Sequence, residues 1–197
     1  DNPRTTNVNG VAIPIGTIRI PLANPYDFWY GTGRVDHMLS DEDYLSYRIQ
    51  ADHRNQPDVT SNLQFGNLFS AAQQIFRQNH AASWTRTIKP TWVNEFRFGY
   101  VRGFLDFPEN DPVTPTSGIT GFFTIGGSSN FPQGRLQNAY QFQNVSTIQL
   151  NRHSLKVGAD VRWTKLYNNA AFNVKGSYTF DNLQDFVNNR PATFTQA

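Results

Sequence analysis

From Leu155 to Trp163 the chain alternates without interruption: Leu155, Val157, Ala159, Val161 and Trp163 fall on one side of an extended backbone, and Lys156, Gly158, Asp160 and Arg162 on the other. A period of two is the mark of a β-strand with one apolar and one polar face. The pattern returns at Leu45, Tyr47, Ile49 and Ala51 against Ser46, Arg48, Gln50 and Asp52, and again at Phe96, Phe98 and Tyr100 against Glu95, Arg97 and Gly99. These stretches predict strands in pairs: Asp27 to Leu39 with Tyr44 to Asp52, His80 to Ile88 with Trp92 to Phe104, and Asn138 to Leu150 with Ser154 to Tyr167. Within each pair the turn is short: Ser40-Asp41-Glu42-Asp43, Lys89-Pro90-Thr91 and Asn151-Arg152-His153. The expected fold is all-β, with about six long amphipathic strands in antiparallel hairpins. The member from Asn138 to Leu150 is the least regular, because Tyr140, Phe142 and Ile148 share a face with Asn144 and Ser146.

Between the pairs the connections change character. Residues 53–79 and 105–137 are long and rich in Asn, Gln, Pro, Gly and Ser, and loops of that length are uncommon inside a compact soluble domain. Short turns alternating with long loops match an outer-membrane barrel, whose turns lie at one rim and whose loops lie at the other. The organisation expected is an N-terminal extension over 1–26, a hairpin region over 27–167, and a C-terminal loop with a short strand and a short helix over 168–197. Local signals refine it. Asn9-Gly10 between Val8 and Val11 is a turn signal, Phe122 to Ile125 before Gly126-Gly127 reads as a strand, and a short helix is expected within Asn62 to Gln78. Gly176 to Phe180 reads as extended, and Asn182 to Asn189 as a helix stopped by Pro191.

Composition narrows the solvent. Charged residues make up 16% and aromatics 14%, the balance of amphipathic strands joined by neutral polar loops rather than of a helical enzyme. A net charge of +2 without a Lys/Arg cluster argues against a nucleic-acid partner. The absence of cysteine removes disulfides and thiolate chemistry. No apolar run is long enough for a transmembrane helix, so a membrane would have to be crossed by strands. The opening Asp1-Asn2-Pro3-Arg4 carries no initiator Met and no signal segment, and reads as part of a longer protein or as a mature form.

Three motifs carry a family resemblance. Gly33-Arg34-Val35-Asp36-His37 with Leu39-Ser40-Asp41-Glu42-Asp43, then Val93-Asn94-Glu95-Phe96-Arg97-Phe98-Gly99-Tyr100, then His153 through Arg162 resemble the barrel of TonB-dependent outer-membrane receptors. The likeness is to the Oar-like branch, which carries a carboxypeptidase-regulatory-like domain. The resemblance implies a segment of a 22-stranded barrel filled by a plug and used for gated uptake across a bacterial outer membrane. It implies no enzyme activity and no cofactor.

The candidate functional surfaces follow from the alternation. Arg34, Asp36, Arg48, Asp52, Glu95, Arg97, Lys156, Asp160 and Arg162 would line a lumen or polar face, and Leu45, Tyr47, Ile49, Phe96, Phe98, Tyr100, Leu155, Val157, Val161 and Trp163 would face lipid or another subunit. Phe28 to Tyr30, Tyr100, Tyr140, Phe142 and Tyr167 are expected toward the long-loop rim as an aromatic girdle. Six strands left open would expose unpaired edges, which favours a parent barrel or, as an alternative, a self-assembling filament or tube of identical subunits. A glycan-binding module built on exposed aromatics is a third reading. His37, His53, His80 and His153 lack metal spacing, and no nucleophile elbow accompanies the serines. Neither a metal site nor a catalytic site is therefore expected.

Overall fold

Backbone pairing carries these strands well beyond the stretches in which hydrophobic alternation is legible. In the computed structural model, which describes residues 4–17, 21, 23–60 and 68–197, six long strands form one sheet. They are β3 (Asp27–Met38), β4 (Asp43–Gln56), β5 (Gln73–Lys89), β6 (Trp92–Phe107), β9 (Gln133–Leu150) and β10 (His153–Ala170). A hairpin of β1 (Arg4–Val8) and β2 (Val11–Ile15) precedes them. The shorter β7 (Thr116–Ile119) and β8 (Thr124–Ile125) lie between β6 and β9, and β11 (Ser177–Phe180), α1 (Leu183–Val187) and β12 (Thr193–Thr195) follow.

The large sheet runs β3-β4-β5-β6-β9-β10, every neighbour antiparallel. This is an up-and-down meander in which chain order and spatial order agree. Its three tight turns share one rim. In the turn after β9, Asn151 adopts φ 49°, a left-handed conformation that Asn tolerates better than most residues. In the turn after β3, Ser40 Oγ accepts from the backbone N–H groups of Glu42 (3.2 Å) and Asp43 (3.1 Å). No residue of the six strands is buried, so both faces of the sheet and its two edge strands, β3 and β10, are bare.

Side chains bury instead at the opposite rim, where the long connections meet. Phe69, Ala71, Ile119, Phe131 and Phe180 are buried there, with the Phe107 ring tilted 5.1 Å from Phe131 and Phe180 edge-on 5.2 Å from Phe186. A second sheet, β12-β11-β7-β8, ties the β6–β9 connection to the C-terminal segment through a parallel β7–β11 pair. Gly126 allows the tight end of β8: its φ is +93°, and a Cβ there would lie 2.0 Å from the Pro115 carbonyl oxygen. The N-terminal hairpin joins the same layer, since the amides of Asn9 and Asn188, the residue capping α1, exchange hydrogen bonds of 3.3 and 3.2 Å.

Several expectations are corrected. Within the N-terminal extension the expected turn at Asn9-Gly10 closes a hairpin over 4–15, with Asn9 at φ 50° and Gly10 at φ 82°. The long connections shrink to 57–72 and 108–132, because ladder pairing needs only backbone N–H and C=O and continues through Gln73-Gln74 and Gln133 to Gln137. For the same reason β10 continues to Ala170. The short helix expected within Asn62 to Gln78 does not lie from Gln73 onward, which is strand, and 62–67 lie outside the described residues. Phe122 and Phe123 sit in a turn, leaving only Thr124–Ile125 extended. The helix after Asn182 forms as expected, with the Asn182 side chain accepting from the Asp185 N–H at 2.9 Å.

Candidate functional site

Register across the sheet decides which side chains share a face. Residues directly opposite one another on neighbouring strands project to the same side, and the pairing is unbroken along all six strands apart from one irregularity near Thr87 and Lys89. Leu45, Tyr47, Ile49, Phe96, Phe98, Tyr100, Leu155, Val157, Val161 and Trp163 therefore all lie on one face. Val35 (67% exposed), Val161 (62%) and Trp163 (56%) show how bare that face is. All four tryptophans, Trp29, Trp84, Trp92 and Trp163, project from it. His37, His53, His80 and His153 share it, so Asp36 and Asp52 turn away from the histidines next to them in sequence. Among the described residues no group of three or more His, Asp or Glu could hold a metal ion.

The apolar face has limits. Asp43, Arg86, Asn94 and Ser146 stand opposite one another near the tight turns, and Gln78, Arg102, Asn138 and Lys165 do so nearer the long connections. Along β6 the two rows are Asn94 and Arg102, eight residue steps apart. That is about 27 Å along the strand, or about 21 Å in height for a strand tilted by about 40°. The first row is internally satisfied: Arg86 lies 3.9 Å from Asp43, Trp84 Nε1 donates to Asp43 Oδ1 (2.8 Å), and Ser146 Oγ donates to Asn94 Oδ1 (2.7 Å). Directly inside the second row runs an aromatic ladder, His80–Tyr100–Tyr140–Trp163, with ring centroids 5.6, 5.0 and 5.7 Å apart. Beyond that polar row comes a further line, Trp29, His53, Phe76, Phe104, Leu136 and Tyr167.

The aromatic girdle expected at the rim thus divides. Tyr100, Tyr140 and Phe142 stand nearer mid-strand, because the strands extend past them. Phe28 and Tyr30 project to the opposite face from Trp29.

On that opposite face lie Arg34, Asp36, Arg48, Asp52, Glu95, Arg97, Lys156, Asp160 and Arg162. Most are paired. Arg34 holds Asp36 two residues along the same strand (2.8 Å), and the Tyr44 hydroxyl donates to the same carboxylate (2.8 Å). Arg97 grips Glu95 with two hydrogen bonds of 2.8 Å, and Arg77 pairs with Asp52 across strands at 2.9 Å. Gln141 links Asp160 (2.7 Å) to Arg162 (3.1 Å). Arg48 stands opposite Arg34 on one side and Ala81 on the other, with Gly99 next in the same line. These small residues leave a concavity of about 530 Å³ bordered by Arg48, Arg97, Gln141 and Gln143. The face combines fixed charges with open space, as a wet wall would.

The loop layer holds a site that sequence reasoning missed. The ammonium of Lys175 meets the carboxylate of Glu109, with the two side chains only 5% and 4% exposed. Nearby, the Thr114 hydroxyl and the Thr114 and Val113 N–H groups, helped by the charge of Lys175, hold the Asp111 carboxyl below its usual pKa. The partners are 66 residues apart, and nothing in local patterning signals such a pair.

Comparison with known families agrees with this geometry. A family described as outer membrane beta barrel domain matches residues 2–197. Neither the search of curated proteins nor that of solved structures found a significant match. An all-β meander with one apolar face bounded by polar rows is what such a domain requires, and the chain belongs to the outer membrane beta barrel domain family, which locates it at the bacterial outer membrane.

Proposed function

We propose that the chain forms part of the wall of a gated outer-membrane transporter of the TonB-dependent receptor kind, with its apolar face against lipid and its polar face lining the lumen. The observation that carries this reading is the apolar face shared by six consecutive strands, crossed toward each end by a polar row four strands wide, with fixed ion pairs behind it. The band's height approaches the roughly 25 Å of an outer-membrane barrel. The three receptor-like motifs support the finer assignment: two of them, on β6 and β10, belong to strands that also carry the ladder. In this role Arg34, Arg48, Glu95, Arg97, Asp160 and Arg162 present charge to a plug or a passing substrate, and the chain has no catalytic part.

A photocrosslinking amino acid tests both faces in cells. At Val161 it should capture lipid, and at Gln143 it should capture protein from inside the barrel. Protein capture at Val161 together with none at Gln143 would overturn the assignment of faces.

The open edges β3 and β10 favour a second reading, a self-assembling β-rich subunit, since unpaired strand edges recruit further strands. That reading requires regular polymers without lipid, which electron microscopy of detergent-free protein would reveal. Glycan binding draws no comparable support, because most of the strand aromatics are distributed in register lines along the apolar face.

A further inference from the structure

The two polar rows that bound the apolar face differ in charge. Near the tight turns, Arg86 faces Asp43 and the row is neutral. Near the long connections the row carries Arg102 and Lys165 on either side of Asn138, and no carboxylate. Among the described residues neither cation has an ion-pair partner. The nearest acidic residue on this face of β6 is Asp106, four positions further toward the loops. Arg102 Nη1 donates only a long bond, 3.4 Å, to Asn138 Oδ1, which also receives the Tyr100 hydroxyl at 2.9 Å. Lys165 Nζ lies 4.5 Å above the Trp163 ring.

We propose that Arg102, Asn138 and Lys165 form a binding site on the outer wall for the phosphate of a membrane lipid headgroup, a proposal that rests on the lipid-facing reading given above. Two strand spacings separate the backbones of Arg102 and Lys165 by about 10 Å, so their long side chains can converge on one phosphate. The guanidinium has four further N–H donors in a planar fork suited to phosphate oxygens, and the ammonium adds a mobile charge. The aromatic ladder Tyr100–Tyr140–Trp163 lies one row below, where the acyl chains of the same lipid would begin. At the boundary of a low-dielectric layer, cations without carboxylate partners are stabilised by anionic headgroups. The site also marks the leaflet on the long-loop side as the one whose anionic lipid this wall holds.

Native mass spectrometry of the protein released from nanodiscs tests the site. The nanodiscs contain an anionic phospholipid and a zwitterionic one with matched acyl chains. Wild-type protein should retain the anionic lipid several-fold over the zwitterionic one. R102Q/K165Q should lose that preference, whereas R102K/K165R and the polar-face variant R34Q should keep it. Glycerol phosphate in solution should not displace the retained lipid, which separates a headgroup site from a free-phosphate site. Undiminished preference in R102Q/K165Q would overturn the proposal. If a crosslinker at Val161 captures lipid while that preference persists, the headgroup site alone fails; if Val161 captures no lipid, the lipid-facing reading fails with it.

Discussion

The residues that decide local stability lie away from the sheet, in the layer where the connections meet. Glu109 and Lys175 are both almost wholly withdrawn from water, so E109Q strands a buried ammonium and should destabilise the loop layer by about 3–5 kcal/mol. Hydrogen exchange at the β7 amides would report that loss, and E109Q/K175M should recover much of it. Asp111 adds a pH dependence whose sign follows from its lowered pKa. A carboxyl that ionises more readily when folded contributes stability above the usual carboxylate pKa, and loses it as pH falls through the folded value. Cleavage of residues 108–116 by an acid-active protease should therefore rise as pH drops below about 4, and D111N should flatten that rise. The Glu109–Lys175 pairing cannot be read from the chain, since a contact over 66 positions leaves no local trace. Asp36 and Arg97 were legible as polar-face residues because period-two alternation assigns a face directly.

At the scale of the strand, a single face assignment governs the cost of substitution. Val161→Arg places a cation within the apolar band and should cost about 2–4 kcal/mol, whereas Thr164→Arg on the polar face should cost close to nothing. Urea titration of the protein in lipid would compare the two, and equal costs would mean that both faces meet water. The strands β4 and β10 were plain in the sequence because their central positions on one face, Leu45 to Ala51 and Leu155 to Trp163, are all apolar. The second half of β9 was obscured by Asn144 and Ser146, and the structure gives a reason for the latter: Ser146 belongs to the polar row that bounds the band, where it bonds Asn94 and receives a 3.4 Å contact from Trp92 Nε1. The far ends of β5 and β9 were hidden because there the ladder runs on through glutamines without apolar alternation. The parallel β7–β11 pair joins segments about 60 residues apart, a distance at which hairpin logic has nothing to say.

For the whole molecule, the meander matters more than any one strand. Six strands follow one another in chain order, so one face stays apolar from β3 to β10, and the two edge strands are left with unpaired backbone groups. Membership of the outer membrane beta barrel domain family is consistent with a sheet without a buried residue; under the proposed function a bilayer covers what another protein layer would otherwise have to. The central claim, that lipid covers the apolar face, is tested most directly by fluorescence, because every tryptophan projects from that face. In nanodiscs, W29F/W92F leaves Trp84 and Trp163 as the only indoles. Acyl chains brominated along their length should quench most of their emission, while aqueous iodide should quench little of it. Strong quenching by iodide with none by brominated lipid would contradict the account.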